Sequence, residues 1–342
     1  MPWTPGFEEN GRLADMKQTV NGSPHSKEPG VAVPIPQTTG EFTGKSRSKL
    51  FFLPEFLSES MGVSFWFALI WVFIVVFFAL TADYLPLPDV NYMDFAHQAA
   101  PPGTVCRIPI KGSTETEFVC LLGTDTLGRD IATRIISGTR VSLTVGLATP
   151  CIGLVIGGVL GMLAGFYRGR LDYFLMMTMD AILAFPALVL LLVITFCLGP
   201  SLLNITLSLG FLLIPYFTRV ARANTLTLSE REFVQSARML GQTDISIIIR
   251  EITPNIIMPL IAYALLVVSY MIIAEGTLSF LGLGVPQPTP SWGGIIAEGK
   301  EVLDDAPHIS LLPAFILFLT VLSFNIVGDS VKRVLDLKEA QL

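Results

Sequence analysis

Residues 40–46 read GEFTGKS, close to the glycine-rich loop that cradles nucleotide phosphates. That loop needs four residues between its first glycine and the Gly-Lys-Ser triplet, with a strand before it and a helix after it. Gly40 stands one residue too near Gly44, and no strand or helix pattern flanks the run, so ATP hydrolysis is not expected here. His25, His97 and His308 all lie in predicted tails or loops. With no serine elbow, zinc motif or paired acid and base, no catalysis, metal or cofactor is expected. Of the four cysteines, Cys151 and Cys197 fall in apolar runs suited to packing, whereas Cys106 and Cys120 bracket RIPIKGSTETEFV. Short β-like runs on either side of Gly112-Ser113 fit a hairpin closed by a Cys106–Cys120 disulfide. Two carboxylates lie in or beside apolar runs, where ionisable groups are costly and mark pathways. Glu275, after YMIIA, is open between a pathway or gate residue and a helix-packing hydrogen bond. Asp180 opens a span at MTMDAILAFP, where a helix dipole favours a carboxylate; that is a structural account, with a pathway role kept as candidate.

The elements that must position these groups form a membrane bundle. Hydrophobic residues make up 51% of the chain and charged residues 15%, against about 25% charged in soluble domains. Six runs suit the roughly 20-residue helices that cross about 30 Å of hydrocarbon: 63–80, 141–165, 181–198, 202–217, 256–280 and 309–327. The predicted fold is all-α and integral to the membrane. Residues 1–60 lack the apolar periodicity that offsets chain entropy and read as a disordered tail. They also lack the basic start and short apolar core of a cleavable signal, so 61–82 is expected to persist as the first anchor. Residues 50–57 fit an interfacial helix or a lead-in to that anchor.

Lys and Arg near span ends set topology. Placing both termini in the cytoplasm puts Arg168, Arg170, Arg219, Arg222, Arg231, Arg238 and Arg250 inside with the basic residues of both tails. Residues 83–137 then form an extracytoplasmic segment, where disulfides persist. Residues 138–330 are the transmembrane domain and 331–342 a cytoplasmic tail. Within the outer segment Asp125, Arg129 and Asp130 are expected on an amphipathic helix capped by Thr124, either as a contact for another protein or as salt-bridged surface residues. A net charge of -6 gives no case for nucleic acid as a partner.

One polar stretch interrupts the grease, SEREFVQSARMLGQTDISIIIREITP at 229–254. Ser229-x-x-Glu232 has the spacing of a capping box. Phe233, Ser236, Ala237 and Leu240 share one helical face, and Gly241 suits the left-handed position that ends a helix. At about 11 residues, roughly 16 Å, this helix cannot span. A second follows, capped by Thr243 or Asp244, with Ile245, Ile248, Ile249 and Ile252 on one face; Thr253, before Pro254, is expected outside the α region. The pattern fits an amphipathic loop resting on headgroups or a knob docked in a groove of another protein.

Over residues 122–336 the chain carries LGTDTLGRDIATRIISGTRVSL, FPALVLLLVITFCLGPSLLN, SEREFVQSARMLG, AEGTLSFLGLGVPQPTPSWG and LTVLSFNIVGDSVKRVLD, in that order. Together these resemble the C-type permease subunits of dipeptide, oligopeptide and nickel ABC importers. The polar stretch is similar to their EAA loop, with Gln235, Ser236, Ala237 and Gly241 at its E-A-A and Gly positions; Gln235, Ser236 and Thr253 depart from the strict pattern. The resemblance implies a type I ABC importer permease fold of six transmembrane helices in a bacterial inner membrane. It implies ATP-driven peptide import, with nickel, another small solute or, more remotely, ion-coupled transport as alternatives. The implied partners are a second homologous permease, two ATP-binding subunits that hydrolyse the ATP, and an extracytoplasmic substrate-binding protein. Coupling to the ATPase falls to Glu232, Gln235, Ser236, Ala237, Arg238, Gly241 and Asp244 in the loop 219–255. Glu275 sits in the A-E-x-x-L-S-F-L-G-L-G pattern of the family.

Overall fold

A computed structural model of the chain describes residues 62–109 and 116–339. The expected tail over 1–60, with its GEFTGKS run and the 50–57 helix, and the Gly112-Ser113 turn lie outside the described residues. Helix α1, Val63–Thr81, is apolar all round, turning Phe65, Ala68, Val75 and Ala79 inward and Phe67, Ile70 and Phe73 outward. Its Trp71 Nε1 donates to Thr320 Oγ1 at 3.1 Å. Strands β1, Thr104–Ile108, and β2, Thr116–Cys120, pair antiparallel with Val105 opposite Val119. Cys106 and Cys120 are joined in a disulfide, their Cα atoms 6.1 Å apart.

Helix α2, Ile131–Ile152, runs through a π segment, Gly153–Gly157, into α3, Gly158–Tyr167. The π turn follows Pro150, whose missing N–H and bulky ring disturb the α register and are absorbed by a wider turn. Asp130 caps α2, its carboxylate accepting from Thr133 N at 2.8 Å and Thr133 Oγ1 at 2.7 Å. The helix expected around Asp125 and Arg129, capped by Thr124, does not form. Asp125 Oδ1 accepts from the N–H groups of Leu127 and Arg129, both at 2.9 Å, and Thr124 pairs with Asp130 in an isolated bridge. A side chain that takes nearby backbone donors offers the chain a turn in place of a helix.

Helices α4, Gly169–Leu183, and α5, Ala187–Leu198, meet at 86° where one straight span was expected over 181–198. Phe185 precedes Pro186, whose ring disfavours α geometry there, and the helix stops. Asp180 therefore lies near the C-terminal end of α4, and the helix N-terminus expected for it is corrected. Helix α6, Leu202–Ser229, continues well past the limit expected at Phe217. Then come α7, Glu232–Met239, α8, Asp244–Ile247, a π segment, Ile248–Ile252, α9, Thr253–Phe280, α10, Trp292–Gly299, and α11, His308–Glu339. With the bent pair taken as one, there are among the described residues up to six helices long and apolar enough to cross a membrane. Thr253 is helical, at φ -54 and ψ -46, against expectation. Its N–H and its Oγ1 both go to Ile248 O, a π register that makes room for the ring of Pro254.

One apolar core joins α1, α2, α9, α10 and α11 around Ile135, Ile272, Trp292 and Phe324. A second, around Phe217, Val234, Ile247 and Ile256, lies under α7 and α8. Between them α3 and α6 touch backbone to backbone. A Cβ on Gly161 would stand 2.4 Å from Thr218 O, and one on Gly165 2.8 Å from Arg222 O, so only glycine admits this approach.

Candidate docking elbow

The α6–α8 corner turns twice within a dozen residues. Ser229 does not cap α7 as the capping-box spacing predicted. It is the last residue of α6, buried, its Oγ donating to Leu226 O at 2.9 Å. The cap position falls to Arg231, two residues later, because α6 holds its helical register to the end; Glu232 then opens α7 where its charge suits the dipole. Helix α7 closes at Gly241, φ 76, with Gly241 N donating to Arg238 O at 3.0 Å and Gln242 N to Ala237 O at 3.2 Å. These two bonds are the Schellman closure of a helix end, which needs a left-handed residue. Thr243, not Asp244, caps α8, accepting from Ser246 N at 3.4 Å.

The expected faces divide. In α7 Val234 and Ala237 pack inward, while Phe233, Ser236, Met239 and Leu240 stay exposed. In the next turn Ile247, Ile248 and Ile252 are buried, while Ile245 and Ile249 are 65% and 61% exposed. Tertiary packing selects the inward stripe, and the rest of the apolar residues form an outward patch on a charged, non-spanning element. Such a patch on a folded surface suits contact with another protein or with lipid headgroups. Glu232, Gln235 and Asp244 rim it, all exposed.

Two residues outside the elbow, Arg168 and Phe166, tie it to the α3–α4 corner. Arg168, between α3 and α4, stands at φ 53 and ψ -166, a region nearly confined to glycine and costing other residues on the order of 1–3 kcal/mol. Its Nη2 donates to Ser229 Oγ at 3.0 Å, Glu230 Oε1 at 2.9 Å and, at the limit, Leu226 O at 3.5 Å. Arg238 lies over the Phe166 ring at 4.9 Å. These groups, with Gln235 and Met239, line an open cavity of about 490 Å³. The only signal in the sequence was the Arg-Gly pair between two apolar runs.

The two carboxylate candidates lie apart from the elbow and share no partner in the hydrogen bonds described. Glu275 is fully buried where α9 meets α2 and α10, accepting from Ser279 Oγ at 2.8 Å and Ser142 Oγ at 3.3 Å. The carboxylate is thus enclosed among serine hydroxyls and does not face an open surface. Asp180 is exposed and paired with Arg219 at 2.6 Å. At the far end of the bundle Asp125 and Arg129 are salt-bridged, but in a buried ionic knot with Arg134 and Glu298 and not on the surface. Arg129 reaches Asp125 and Glu298, each at 2.6 Å, and Arg134 reaches Glu298 at 2.9 Å, as does Gln287. Burial pushes the Glu298 carboxyl up, against the pull of Arg134 and Arg129. Among the described residues no group of three or more His, Cys, Asp or Glu is placed to hold a metal.

Comparison with known proteins follows the same lines. The chain is 38% identical over 273 residues to a putative peptide transport system permease protein of Brucella suis, covering 80% of this chain and 87% of that one. It is 34% identical over 288 residues to the glutathione transport system permease protein GsiD of Pectobacterium atrosepticum, covering 84% and 90%. Its fold is similar to that of the methionine ABC transporter MetNI in an inward-facing conformation, at a TM-score of 0.51 and 16% identity, over 60% of this chain and 97% of that one. Residues 157–340 match the family model of binding-protein-dependent transport system inner membrane components. An all-α, multi-pass bundle of the type I permease fold, with relatives alike over most of its length, therefore places the chain in that family of ABC transporter permeases.

Proposed function

We propose that the chain is a pathway-forming permease subunit of an ATP-driven importer of peptides in a bacterial inner membrane, with both termini cytoplasmic. It works with a second homologous permease, two ATP-binding subunits that carry the hydrolysis, and an extracytoplasmic substrate-binding protein. The observation that carries this reading is the elbow: Phe233, Leu240, Ile245 and Ile249 are held out from the bundle on short helices that cannot span. That is the shape of a helix face laid into a groove of another protein. In this reading Glu232, Gln235, Ser236, Arg238 and Asp244 form the rim of the ATPase contact, while Ala237 and Gly241 fix its angle. Asp180, exposed on α4, remains a pathway candidate, and Glu275 a packing residue. The relatives named for peptides and for glutathione, itself a tripeptide, support peptide cargo.

The test is uptake by proteoliposomes holding the full transporter with its binding protein. ATP inside should drive accumulation of labelled di- and tripeptides and not of nickel. Uptake that persists on an ion gradient after ATP hydrolysis is blocked would remove the reading.

A further inference from the structure

The strained backbone of Arg168 and the three acceptors gathered on its side chain have no part in docking as such. Its guanidinium spans from the α3–α4 corner to the last turn of α6 and to Glu230, immediately before α7. On the other side of the same cavity, Phe166 in α3 carries Arg238 of α7 on its ring. Helix α7 is thus pinned at both ends to one corner, through Ser229 and Glu230 before it and through Arg238 near its end. That corner is where the chain changes direction into α4, and α4 leads to the 86° bend with α5. Gly169, φ 62, follows directly, so two successive left-handed residues make the turn. The α3–α6 seam at Gly161 and Gly165 is a backbone contact, and beyond the corner α4 is tied to α6 by Asp172 with Arg222 and Asp180 with Arg219.

We propose that Arg168 is the positioning residue that passes displacement of α7 to the α3–α4 corner, and through α4 to the α4–α5 bend. The inference rests on the reading of α7 as the ATPase contact. A push on α7 reaches the corner through Glu230 and the guanidinium, and without that link only the α6–α4 ion pairs are left to carry it. All the Arg168 side-chain contacts are made by one nitrogen, Nη2, a single donor point that an ammonium on the shorter-reaching lysine stem takes up in part.

The experiment uses the complete transporter in proteoliposomes, reading labelled tripeptide moved per ATP hydrolysed, with retention of ATPase subunits measured alongside. Arg168→Gly keeps the left-handed backbone and removes the side chain. Retention and hydrolysis are expected to stay near wild type while peptide per ATP falls at least fivefold, and Arg168→Lys is expected to recover part of the loss. An unchanged ratio in Arg168→Gly would overturn the proposal. Should that variant fail to assemble, the charge exchange decides. Arg168→Glu is expected to lower the ratio and Arg168→Glu with Glu230→Arg to restore it, and absence of recovery overturns the proposal equally. A wild-type chain that holds no ATPase subunits would instead sink the docking reading, a result distinct from either.

Discussion

Gly241 offers the sharpest test of the elbow, because its environment isolates one variable. A Cβ there would meet no described atom within 4 Å, so space is not at issue, and the whole demand on the residue is its φ of 76. Placing an L side chain in that region costs about 1–2 kcal/mol, or a five- to thirtyfold loss in the population of the native bend. Gly241→Ala is expected to lower ATPase retention within that range on co-purification, and Gly241→Val, β-branched and worse suited still, to abolish it with membrane insertion intact. Gly241→Asn, which tolerates the left-handed region, is expected to stay close to wild type. Gly282, φ 81 and also without a described neighbour, lies just past the opposite end of α9; Gly282→Ala carries the same backbone cost and is expected to leave retention unchanged. Normal retention in Gly241→Val, or equal losses in the Asn and Val variants, would refute the reasoning.

Glu298→Gln removes the charge that Arg129 and Arg134 share, and breaking a buried ion pair from one side costs about 3–5 kcal/mol; a clear fall in Tm of the purified chain is expected. Gly161→Leu forces apart two backbones in contact, an overpacking of about 1–3 kcal/mol or more, to be seen as loss of monodisperse protein in detergent. Burial works against the Asp94 charge, but hydrogen bonds from His97 Nδ1 at 2.8 Å and from the N–H groups of Arg107 and Ala96 at 3.2 and 3.1 Å hold its carboxyl below the usual range. A depressed folded pKa gives stability that is present above the unfolded value of about 3.9 and lost as pH falls through the folded one. Exchange at the Arg107 amide, corrected for intrinsic rates, should therefore stay flat from neutral pH downward and rise only below about that value; Asp94→Asn should raise it at neutral pH.

What the sequence made legible followed from strong local rules. Long apolar runs announced the spans, and Gly241 announced a helix end because few other residues end one that way. The errors share a cause, since each arose where tertiary contact outweighs a local signal. Ser229 had the spacing of a cap, yet α6 carries it into the core and Arg168 claims its hydroxyl. Phe233 and Ala237 belong to one stripe by periodicity, but only Ala237 is buried, in the core it shares with Val234 and Ile247. Thr253 stayed helical because five residues before it widened into a π turn, a compensation that no single residue signals. The ionic knot joins Arg129 to Glu298 across 169 positions of sequence, a pairing that no short pattern encodes.

That knot and the π turns lie toward opposite ends of the same helices. Arg134 on α2, Glu298 on α10 and Gln287 just past α9 clamp one rim of the bundle into a single plate. Toward the other rim two of the long helical runs have a joint, α2–α3 at Gly153–Gly157 and α8–α9 at Ile248–Ile252. A bundle clamped at one rim and jointed in two helices toward the other is expected to open at the jointed rim. Paired spin labels should record widening distances beside the elbow during turnover and constant ones around the plate.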